Sequence, residues 1–401
     1  MKIIARENYL KQLISVKDTS EIKIITGIRR SGKSQLMLSY IEHLKNNATD
    51  INIIYIDFND IANEKLKKYH ALNEYIEAKF VNGKNNFLFI DEVQMCDKFE
   101  LVINSLHSKH KYDIYLTGSN AFLLSSDLST LFTGRYIQIH IFPFSFKEYL
   151  AYFEKKEDFD KLFDDYVIKG GMPGSYLYSD EKNRVNYLKD VYETIIKRDL
   201  VERYNLENKF LFDHICDFLM DNVSNLTSPN KISNILLQDK ITTNHVTVNN
   251  YIKYLCDAFL FYDIKRYDIK GKMYLATNDK FYLCDTSFRY ALLGLKNLDF
   301  GRMYENIVCI ELLRRGYEVH VGKLYSTEID FVATKGSRQI YIQVSSYIQN
   351  EDTFKREYEP LLKIKDAYPK IIIARTRMPQ YTYEGIKIFD ITRWLMEDMG
   401  D

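Results

Sequence analysis

The chain has 401 residues, of which 46% are hydrophobic and 14% aromatic, a composition that excludes an intrinsically disordered protein. Lys and Arg together number 55, as do Asp and Glu, so the net charge is zero and coating of nucleic acid by bulk charge is disfavoured. The five cysteines are scattered, no N-terminal signal peptide is visible, and no apolar run approaches the roughly 18 residues of a membrane span. We therefore expect a cytoplasmic protein of two or three domains with reduced thiols and no membrane segment.

The motif GIRRSGKS at residues 27–34 fits the phosphate-binding pattern G-x-x-x-x-G-K-[ST]. A short apolar segment at 21–25 predicts a strand before it, and the apolar spacing of residues 35–41 predicts a helix after it. Such a loop presents backbone N–H groups to a polyphosphate, whereas the alternative is a chance match in a turn. Lys33 is expected to reach the β- and γ-phosphates, and the Ser34 hydroxyl to coordinate Mg²⁺. The predicted nucleotide-binding residues are Gly27, Ile28, Arg29, Arg30, Ser31, Gly32, Lys33, Ser34 and Gln35.

A second motif follows the apolar run at residues 87–90, which predicts a central parallel strand ending in two carboxylates. Ligands of open α/β sheets bind at the carboxyl ends of the strands, so both carboxylates should face the triphosphate. Asp91 suits support of Mg²⁺, and Glu92 suits polarisation of the attacking water. An acidic strand end that is merely solvated is the alternative.

Further strands are predicted at residues 51–58, 112–120 and 136–141. Ser119 or Asn120, at the end of the second of these, is a candidate sensor beside the γ-phosphate, although a turn that caps the next helix explains the same residues. Arg135 is a candidate arginine finger, in its own subunit or in a neighbour, with a surface arginine as the alternative.

The ordered motifs resemble a large prokaryotic family of AAA-type ATPases that carry a C-terminal domain of unknown function; they are GIRRSGKS, FLFIDEVQ, YLTGSN, LFTGRY, FPFSFKEYL and GGMPGSYL. The resemblance covers essentially the whole chain. It implies an ATPase core, a helical lid, a winged-helix-like module and a C-terminal domain similar to restriction-endonuclease-like nucleases. It supplies no substrate.

The predicted fold class is α/β, with a P-loop NTPase core built on a parallel sheet. Turn residues place the core at 1–144, a helical lid at 145–208, a winged-helix-like module at 209–299 and a small C-terminal α/β domain at 300–401. The glycine-rich segment 170–174 interrupts the predicted lid sharply. Arg198, on a predicted helix, is a second candidate for sensing phosphate, with a surface ion pair as the alternative.

The winged-helix-like module is predicted from a helix at 228–237 with a Ser N-cap, a presumed recognition helix at 242–255 and a hairpin that turns at 269–271. Residues 209–270 contain seven Lys or Arg and seven Asp or Glu. Because phosphate neutralisation dominates DNA affinity, a neutral module is a poor duplex binder by itself. A role in protein contact or in structure alone is therefore favoured over DNA binding.

In the C-terminal domain, the resemblance implies a nuclease site made of acidic residues and an E-x-K element. Glu305 and Asp330 match the carboxylates, but Gln343 and Ser345 stand at the E-x-K positions. An amide is a weaker Mg²⁺ ligand than a carboxylate, and serine cannot replace an ammonium. The site is expected to be degenerate, unless a displaced lysine such as Lys323 or Lys335 completes it.

Together these patterns predict a Mg²⁺-dependent ATPase of the AAA-like class, with ATP and Mg²⁺ as ligands, acting as a regulatory switch or remodelling motor. The predicted catalytic residues are Asp91, Glu92, Ser119, Asn120 and Arg135, and the predicted metal ligands are Ser34 and Asp91. An unknown protein partner is expected, oligomerisation is compatible with an arginine supplied by a neighbour, and DNA is not favoured. The alternative function is an ATP-gated DNA-binding protein or nuclease, and a third is a module that holds ATP without turning it over.

Overall fold

The computed structural model describes residues 4–118, 132, 134–206, 208–295 and 299–397. The chain divides into two compact units, one formed by Met1–Ile141 with Lys197–Asp199 and the other by Phe142–Ile196 with Leu200–Asp401. The predicted lid, 145–208, thus falls in the second unit apart from those three residues, and its role as a lid stays a prediction. Among the helices of the described segments, none is both long enough and apolar enough to cross a membrane.

The first unit is built on a parallel sheet of five strands in the order β2-β3-β4-β1-β5. The strands are β1 (Ile22–Thr26), β2 (Ile51–Asp57), β3 (Asn85–Asp91), β4 (Tyr112–Thr117) and β5 (Tyr136–His140). The helices are α1 (Glu7–Ser15), α2 (Lys33–Asn47), α3 (Tyr69–Ala78) and α4 (Phe99–Ser108), with short 3₁₀ turns at Ile61–Lys67 and Val93–Met95.

Alternating strand residues fill a core on each face of this sheet. On β3, Phe87 and Phe89 pack with α1 and α2, whereas Leu88 and Ile90 pack with α3 and α4. Burial on both faces explains why β3 reads as an uninterrupted apolar run. Since all five strands are parallel, their carboxyl ends meet at one edge, and the loop that follows β1 lies at that edge.

The second unit begins with helices and continues into a mixed sheet. Its helices are α5 (Phe146–Phe153), α6 (Phe159–Lys169), α7 (Glu181–Thr194), α8 (Glu202–Tyr204), α9 (Lys209–Asp221), α10 (Pro229–Gln238), α11 (His245–Asp257), α12 (Thr286–Leu293), α13 (Phe300–Arg314), α14 (Glu351–Leu362) and α15 (Ile391–Met396), with a 3₁₀ turn at Pro173–Leu177. A π-helical segment, Ile195–Val201, joins α7 to α8. The strands are β6 (Leu226–Thr227), β7 (Phe261–Asp268), β8 (Met273–Leu283), β9 (Glu318–Leu324), β10 (Thr327–Lys335), β11 (Arg338–Ser345), β12 (Lys370–Ala374), β13 (Tyr381–Tyr383) and β14 (Ile386–Asp390).

These nine strands form one sheet in the order β13-β14-β12-β11-β10-β9-β7-β8-β6. The predicted modules 209–299 and 300–401 share it, because β7 pairs in parallel with β9. Helix α10 begins after the N-cap Ser228, as predicted, and α11 begins at His245 rather than at residue 242. The winged-helix assignment and the boundary at residue 299 stay predictions.

The glycine-rich segment 170–174 is held by a buried carboxylate. Asp285 Oδ2 accepts a hydrogen bond of 2.5 Å from the Gly171 N–H, and a Cβ at Gly171 would lie 2.1 Å from the Phe144 carbonyl oxygen. Burial raises the pKa of Asp285 to about 6, against the opposing effect of hydrogen bonds from Ser287 and Gly171. The glycines therefore allow a close backbone approach that no larger residue permits.

Candidate functional site

The loop between β1 and α2 has the geometry of a phosphate-binding loop. Gly27 has φ 144° and Gly32 has φ 100°, values that only glycine adopts readily. A Cβ at Gly27 would lie 2.2 Å from the carbonyl oxygen of Ile141, so this position also requires glycine for space. Helix α2 starts directly at Lys33, which puts its unpaired N–H groups at the loop.

Lys33 is buried within this loop. Its Nζ donates to the carbonyl oxygens of Gly27 and Ile28 at 3.0 and 3.2 Å. Burial lowers the pKa of Lys33, while the negative charge of Glu92 opposes that change. An ammonium with such a poorly hydrated environment gains from any negative charge brought close to it, because the local dielectric constant is low.

The two predicted carboxylates lie at the carboxyl end of β3 and are organised by the end of β4. The Thr117 hydroxyl donates to Asp91 Oδ1, and Thr117 Oγ1 accepts from the Glu92 N–H at 3.1 Å. Burial raises the pKa of Asp91, and hydrogen bonds from Ser34 and Thr117 oppose that shift. One hydroxyl thus fixes both the first carboxylate and the backbone that carries the second.

Glu92 has a left-handed backbone, with φ 56° and ψ 48°, which is uncommon for a residue with a side chain. Its carboxylate accepts a hydrogen bond from Gln94 Nε2. Asp57, at the end of β2, pairs in register with Asp91 and raises its pKa through its own negative charge. The edge of the sheet therefore concentrates three carboxylates opposite the loop that carries Lys33.

Arg29 makes a contact that sequence reasoning missed. Its Nε and Nη2 donate to Asp199 Oδ2 and Oδ1 at 3.1 and 2.7 Å. Asp199 stands 170 residues away, in the π-helical segment Ile195–Val201. Within the KRD triplet at 197–199, the side chains of Lys197 and Arg198 are exposed, whereas Asp199 is buried. Arg198 was the residue that sequence reasoning singled out.

Two further contacts near the loop also had no sequence signal. Buried Arg6 donates from Nη1 to the Ser31 carbonyl oxygen at 3.1 Å. At the end of β5, His140 Nδ1 lies 3.1 Å from Thr26 Oγ1, and burial followed by the charge of Lys33 lowers the pKa of His140 to about 3. His140 is therefore a neutral hydrogen-bonding group near pH 7.

The remaining predicted catalytic residues are Ser119, Asn120 and Arg135. Ser119 and Asn120 lie outside the described residues. Exposed Arg135 precedes β5, at the amino end of a strand parallel to β1, since Tyr136 pairs with Ile22. About 16 Å of strand separates Arg135 from His140 and the phosphate-loop edge. The prediction of an arginine finger acting in its own subunit is therefore wrong, and a role in a neighbouring subunit stays a prediction.

A second polar cluster, formed in the other unit, surrounds Lys280 of β8. Lys280 Nζ lies 2.8 Å from Glu305 Oε1, 2.7 Å from Glu328 Oε1 and 3.7 Å from Asp330 Oδ1. Tyr282 also donates to Glu305 Oε1, at 2.6 Å. The ammonium that reaches these carboxylates is that of Lys280 in β8, a lysine other than the two candidates, Lys323 and Lys335, that the sequence offered for a displaced lysine.

The two E-x-K positions take part in structural hydrogen bonds. Gln343 Oε1 accepts from the Asp330 N–H at 2.7 Å, and Gln343 Nε2 donates to Glu357 Oε2 at 3.1 Å. Ser345 Oγ donates to the Tyr347 carbonyl oxygen at 3.1 Å. Among the residues whose placement is described, no group of three or more His, Cys, Asp or Glu side chains is arranged to hold a metal ion. The similarity to restriction-endonuclease-like nucleases stays a prediction.

Comparisons with known proteins identify two families along this chain. The family described as "AAA domain" matches residues 19–150, and the one described as "Domain of unknown function (DUF8612)" matches residues 160–299. The chain is 40% identical over 402 residues to an "Uncharacterized protein" of Haemophilus influenzae, covering 98% of this chain and 99% of that protein. It is 30% identical over 404 residues to "Uncharacterized protein MJ1544" of Methanocaldococcus jannaschii, covering 96% of this chain and 87% of that protein.

Among solved structures, AMPPCP-bound DnaA from Aquifex aeolicus aligns with 64% of this chain and 90% of that chain at 17% identity, and its TM-score of 0.31 is too low to support a functional comparison. The first unit, with its phosphate loop, parallel sheet and acidic strand end, is a nucleotide-binding domain of the AAA ATPase type. The chain belongs to the family of P-loop proteins that join this AAA domain to the domain of unknown function DUF8612.

Proposed function

We propose that the protein binds Mg²⁺·ATP and hydrolyses it, and that the cycle drives a regulatory switch or a remodelling motor. The observation that carries the proposal is the arrangement of Lys33, Asp91 and Glu92 at one edge of the parallel sheet, with Thr117 bonded to both acidic residues. A phosphate-binding ammonium, a carboxylate for the metal and a carboxylate for water are the three groups that this reaction needs.

Phosphate binding is supported by the loop itself. The N–H groups at the start of α2 and the Lys33 ammonium would hold the β- and γ-phosphates. Ser31 Oγ is buried and has no hydrogen-bond partner in the described structure, so it is available to a phosphate oxygen. Each of these groups would gain a hydrogen bond or a favourable charge interaction when a polyphosphate binds.

A magnesium ion fits the donor set formed by Ser34 and Asp91. Ser34 is the second residue of α2 and Asp91 ends β3, and the Ser34 hydroxyl helps to lower the pKa of Asp91 against the larger effect of burial, so a hydroxyl and a carboxylate oxygen are available at the same edge of the sheet. Mg²⁺ favours such oxygen ligands and commonly retains waters and nucleotide phosphates as the remainder of its coordination shell. When bound, it would neutralise charge on the phosphates.

Glu92 is the proposed general base. Its left-handed backbone and its bond to Gln94 hold the carboxylate at the end of β3, next to the metal-supporting Asp91. A carboxylate at this position can accept a proton from water that attacks the terminal phosphate. The presence of Glu92 favours hydrolysis over a module that only holds ATP.

The alternative of an ATP-gated DNA-binding protein or nuclease is weakened by two observations. The ammonium of Lys280 already occupies the space between Glu305, Glu328 and Asp330. The segment 209–270 carries balanced charge, which gives DNA little electrostatic attraction. A protein partner therefore remains our proposal for what the cycle acts on.

The test is steady-state hydrolysis of Mg²⁺·ATP by wild type, Glu92→Gln and the control Glu42→Gln, whose exposed carboxylate lies on α2. Loss of a general base is expected to lower kcat about 100-fold or more, whereas the control should match wild type. Equal turnover in Glu92→Gln and wild type would refute the assignment of the base.

The same assay is run with and without duplex and single-stranded DNA. Turnover that is unchanged by DNA supports the switch or motor, and a several-fold rise would favour the DNA-dependent alternative. If wild type binds ATP without turnover, the hydrolysis proposal for the isolated chain is refuted.

A further inference from the structure

The pairing of Arg29 with Asp199 assigns a role to a residue far from the phosphate loop in sequence. The carboxylate of Asp199 accepts two parallel hydrogen bonds from Arg29. Nε donates to Oδ2 at 3.1 Å, and Nη2 donates to Oδ1 at 2.7 Å. The Asp199 side chain is only 3% exposed, and the Arg29 side chain 22%. Fork-shaped pairing of this kind fixes the plane and direction of a guanidinium as well as neutralising part of its charge.

The guanidinium retains donors that Asp199 does not use. Arginine has five N–H donors, and Asp199 engages one edge of the group. Among the described residues, no hydrogen-bond partner is found for Arg29 Nη1. Arg29 is partly exposed and belongs to the phosphate loop, so a phosphate bound by this loop has further Arg29 donors to contact.

The electrostatic surroundings point the same way. Burial by itself lowers the pKa of Arg29. The hydrogen bonds to Asp199 and the negative charges of Asp199 and Glu92 outweigh burial, so the pKa is raised. Burial lowers the pKa of Lys33, and the positive charge of Arg29 adds to that effect. Arg29 is thus part of the same charged group as Lys33 and Glu92, the two residues that flank the terminal phosphate in the proposed function.

We propose that Arg29 binds the terminal phosphate of the nucleotide and stabilises its charge during transfer, and that Asp199 is the positioning residue that orients Arg29 for this contact. The proposal rests on the proposed nucleotide site. It assigns the stabilising arginine to the phosphate loop of the same chain, in place of Arg135, which lies at the opposite edge of the sheet.

This arrangement explains why a carboxylate is tolerated near a phosphate site. An isolated buried Asp199 would repel a polyphosphate, whereas an Asp199 that is already paired adds no net charge with Arg29 and sets the direction of the remaining donors. Within residues 197–199, the buried Asp199 is the residue that contacts Arg29, whereas the side chains of Lys197 and Arg198 are exposed.

The experiment compares wild type, Arg29→Ala, Arg29→Lys, Asp199→Asn and the control Asp190→Asn, an exposed carboxylate on α7. Binding of Mg²⁺·ADP and of a non-hydrolysable ATP analogue is measured by calorimetry, and kcat and KM for ATP are measured separately. Thermal melting of every variant reports whether the fold is retained.

We expect Arg29→Ala to lower kcat about 10³-fold, the lower end of the effect of an arginine at the transferred phosphate, with ADP affinity changed by less than about threefold. Its preference for the ATP analogue over ADP should fall by about tenfold or more, which is the loss of one charged contact. Arg29→Lys keeps the positive charge but cannot form the paired hydrogen bonds to Asp199, so its kcat should fall nearly as far as that of Arg29→Ala. Asp199→Asn should lower kcat by about tenfold with the melting temperature preserved, and Asp190→Asn should match wild type.

If wild type hydrolyses ATP and Arg29→Ala retains its kcat and its preference for the triphosphate, this inference is overturned while the proposed function stands. If Asp199→Asn alters only thermal stability, Asp199 is structural and its positioning role is refuted. Wild type that binds neither nucleotide refutes the proposed function, and the inference with it.

Discussion

Replacement of Lys280 by Met tests how the polar cluster of the second unit is held together. The Lys280 side chain is 4% exposed and its ammonium contacts carboxylates from α13 and β10. Met keeps most of the length and apolar volume of the side chain but removes the charge. Glu305 and Asp330 would then be buried negative charges without their cation.

The size of the effect follows from burial. Removing one partner of a buried ion pair costs about 3–5 kcal/mol, because the other charge is left unpaired. Glu328 adds less to this figure, since its side chain is 35% exposed and water can solvate its charge when the cation is removed. For a unit of this size, about 2–4 °C of melting temperature corresponds to each kcal/mol, so a fall of about 6–20 °C is expected.

The loss should depend on pH. Burial raises the pKa of Glu305 and of Asp330, and the charge of Lys280 holds both pKa values down. In Lys280→Met these folded-state pKa values rise further above their unfolded values, so the folded variant takes up protons that the unfolded chain does not. Its stability therefore falls as pH rises through the raised pKa values, whereas Lys280 of the wild type stays charged, because its own pKa is raised above the ordinary value.

Thermal and urea unfolding at pH 5 and pH 8 measures both effects, with Glu328→Gln as the control for the partly exposed carboxylate. We expect Lys280→Met to lose more stability at pH 8 than at pH 5, and Glu328→Gln to lose about 1 kcal/mol or less. A variant as stable as wild type, or one with the same loss at both pH values, would show that the ammonium is not what neutralises this cluster.

Two further predictions concern single polar groups. In Thr117→Val, the hydroxyl that bonds Asp91 and the Glu92 backbone is lost, so kcat for ATP should fall about 10–100-fold, the equivalent of one hydrogen bond to a charged group, while Thr117→Ser should retain activity. Equal activity of the Val and Ser variants would contradict the role of the hydroxyl. For Asp285, the folded pKa of about 6 lies above the unfolded value of 3.8, so its contribution to stability falls as pH rises through this window. The free energy of unfolding of Asp285→Asn relative to wild type should accordingly increase by up to about 3 kcal/mol from pH 4 to pH 7, as measured by urea unfolding. A difference between the two proteins that does not change with pH would refute the raised pKa of Asp285.

The phosphate loop and the acidic strand end could be predicted from the sequence because their signals are local. Gly27 and Gly32 mark backbone angles that other residues avoid, and their spacing to Lys33 follows from one turn into α2. The apolar run before Asp91 reflects burial of β3 on both faces, since every residue of this strand after Asn85 is buried. The other strands of the first unit were predicted for the same reason.

The role of Arg135 could not be predicted from the local sequence. The residue type suits an arginine finger, but the role depends on which end of a strand it precedes, and that is settled by the register of β5 against β1. Similarly, the sequence offers Lys323 and Lys335 near the E-x-K positions, whereas the cation at Glu305 and Asp330 comes from β8.

The sequence by itself determined the class of the protein, since a loop that binds phosphate needs particular residues at fixed spacing within one strand, turn and helix. Only the tertiary structure decided that Asp199 holds Arg29, that Thr117 joins Asp91 to Glu92, and that Lys280 neutralises the carboxylates of the second unit. Each of these contacts joins segments that are distant along the chain. The local sequence around a charged group or a hydroxyl does not indicate which distant residue it will contact. Their meeting depends on strand order, register and the path of the chain between the elements.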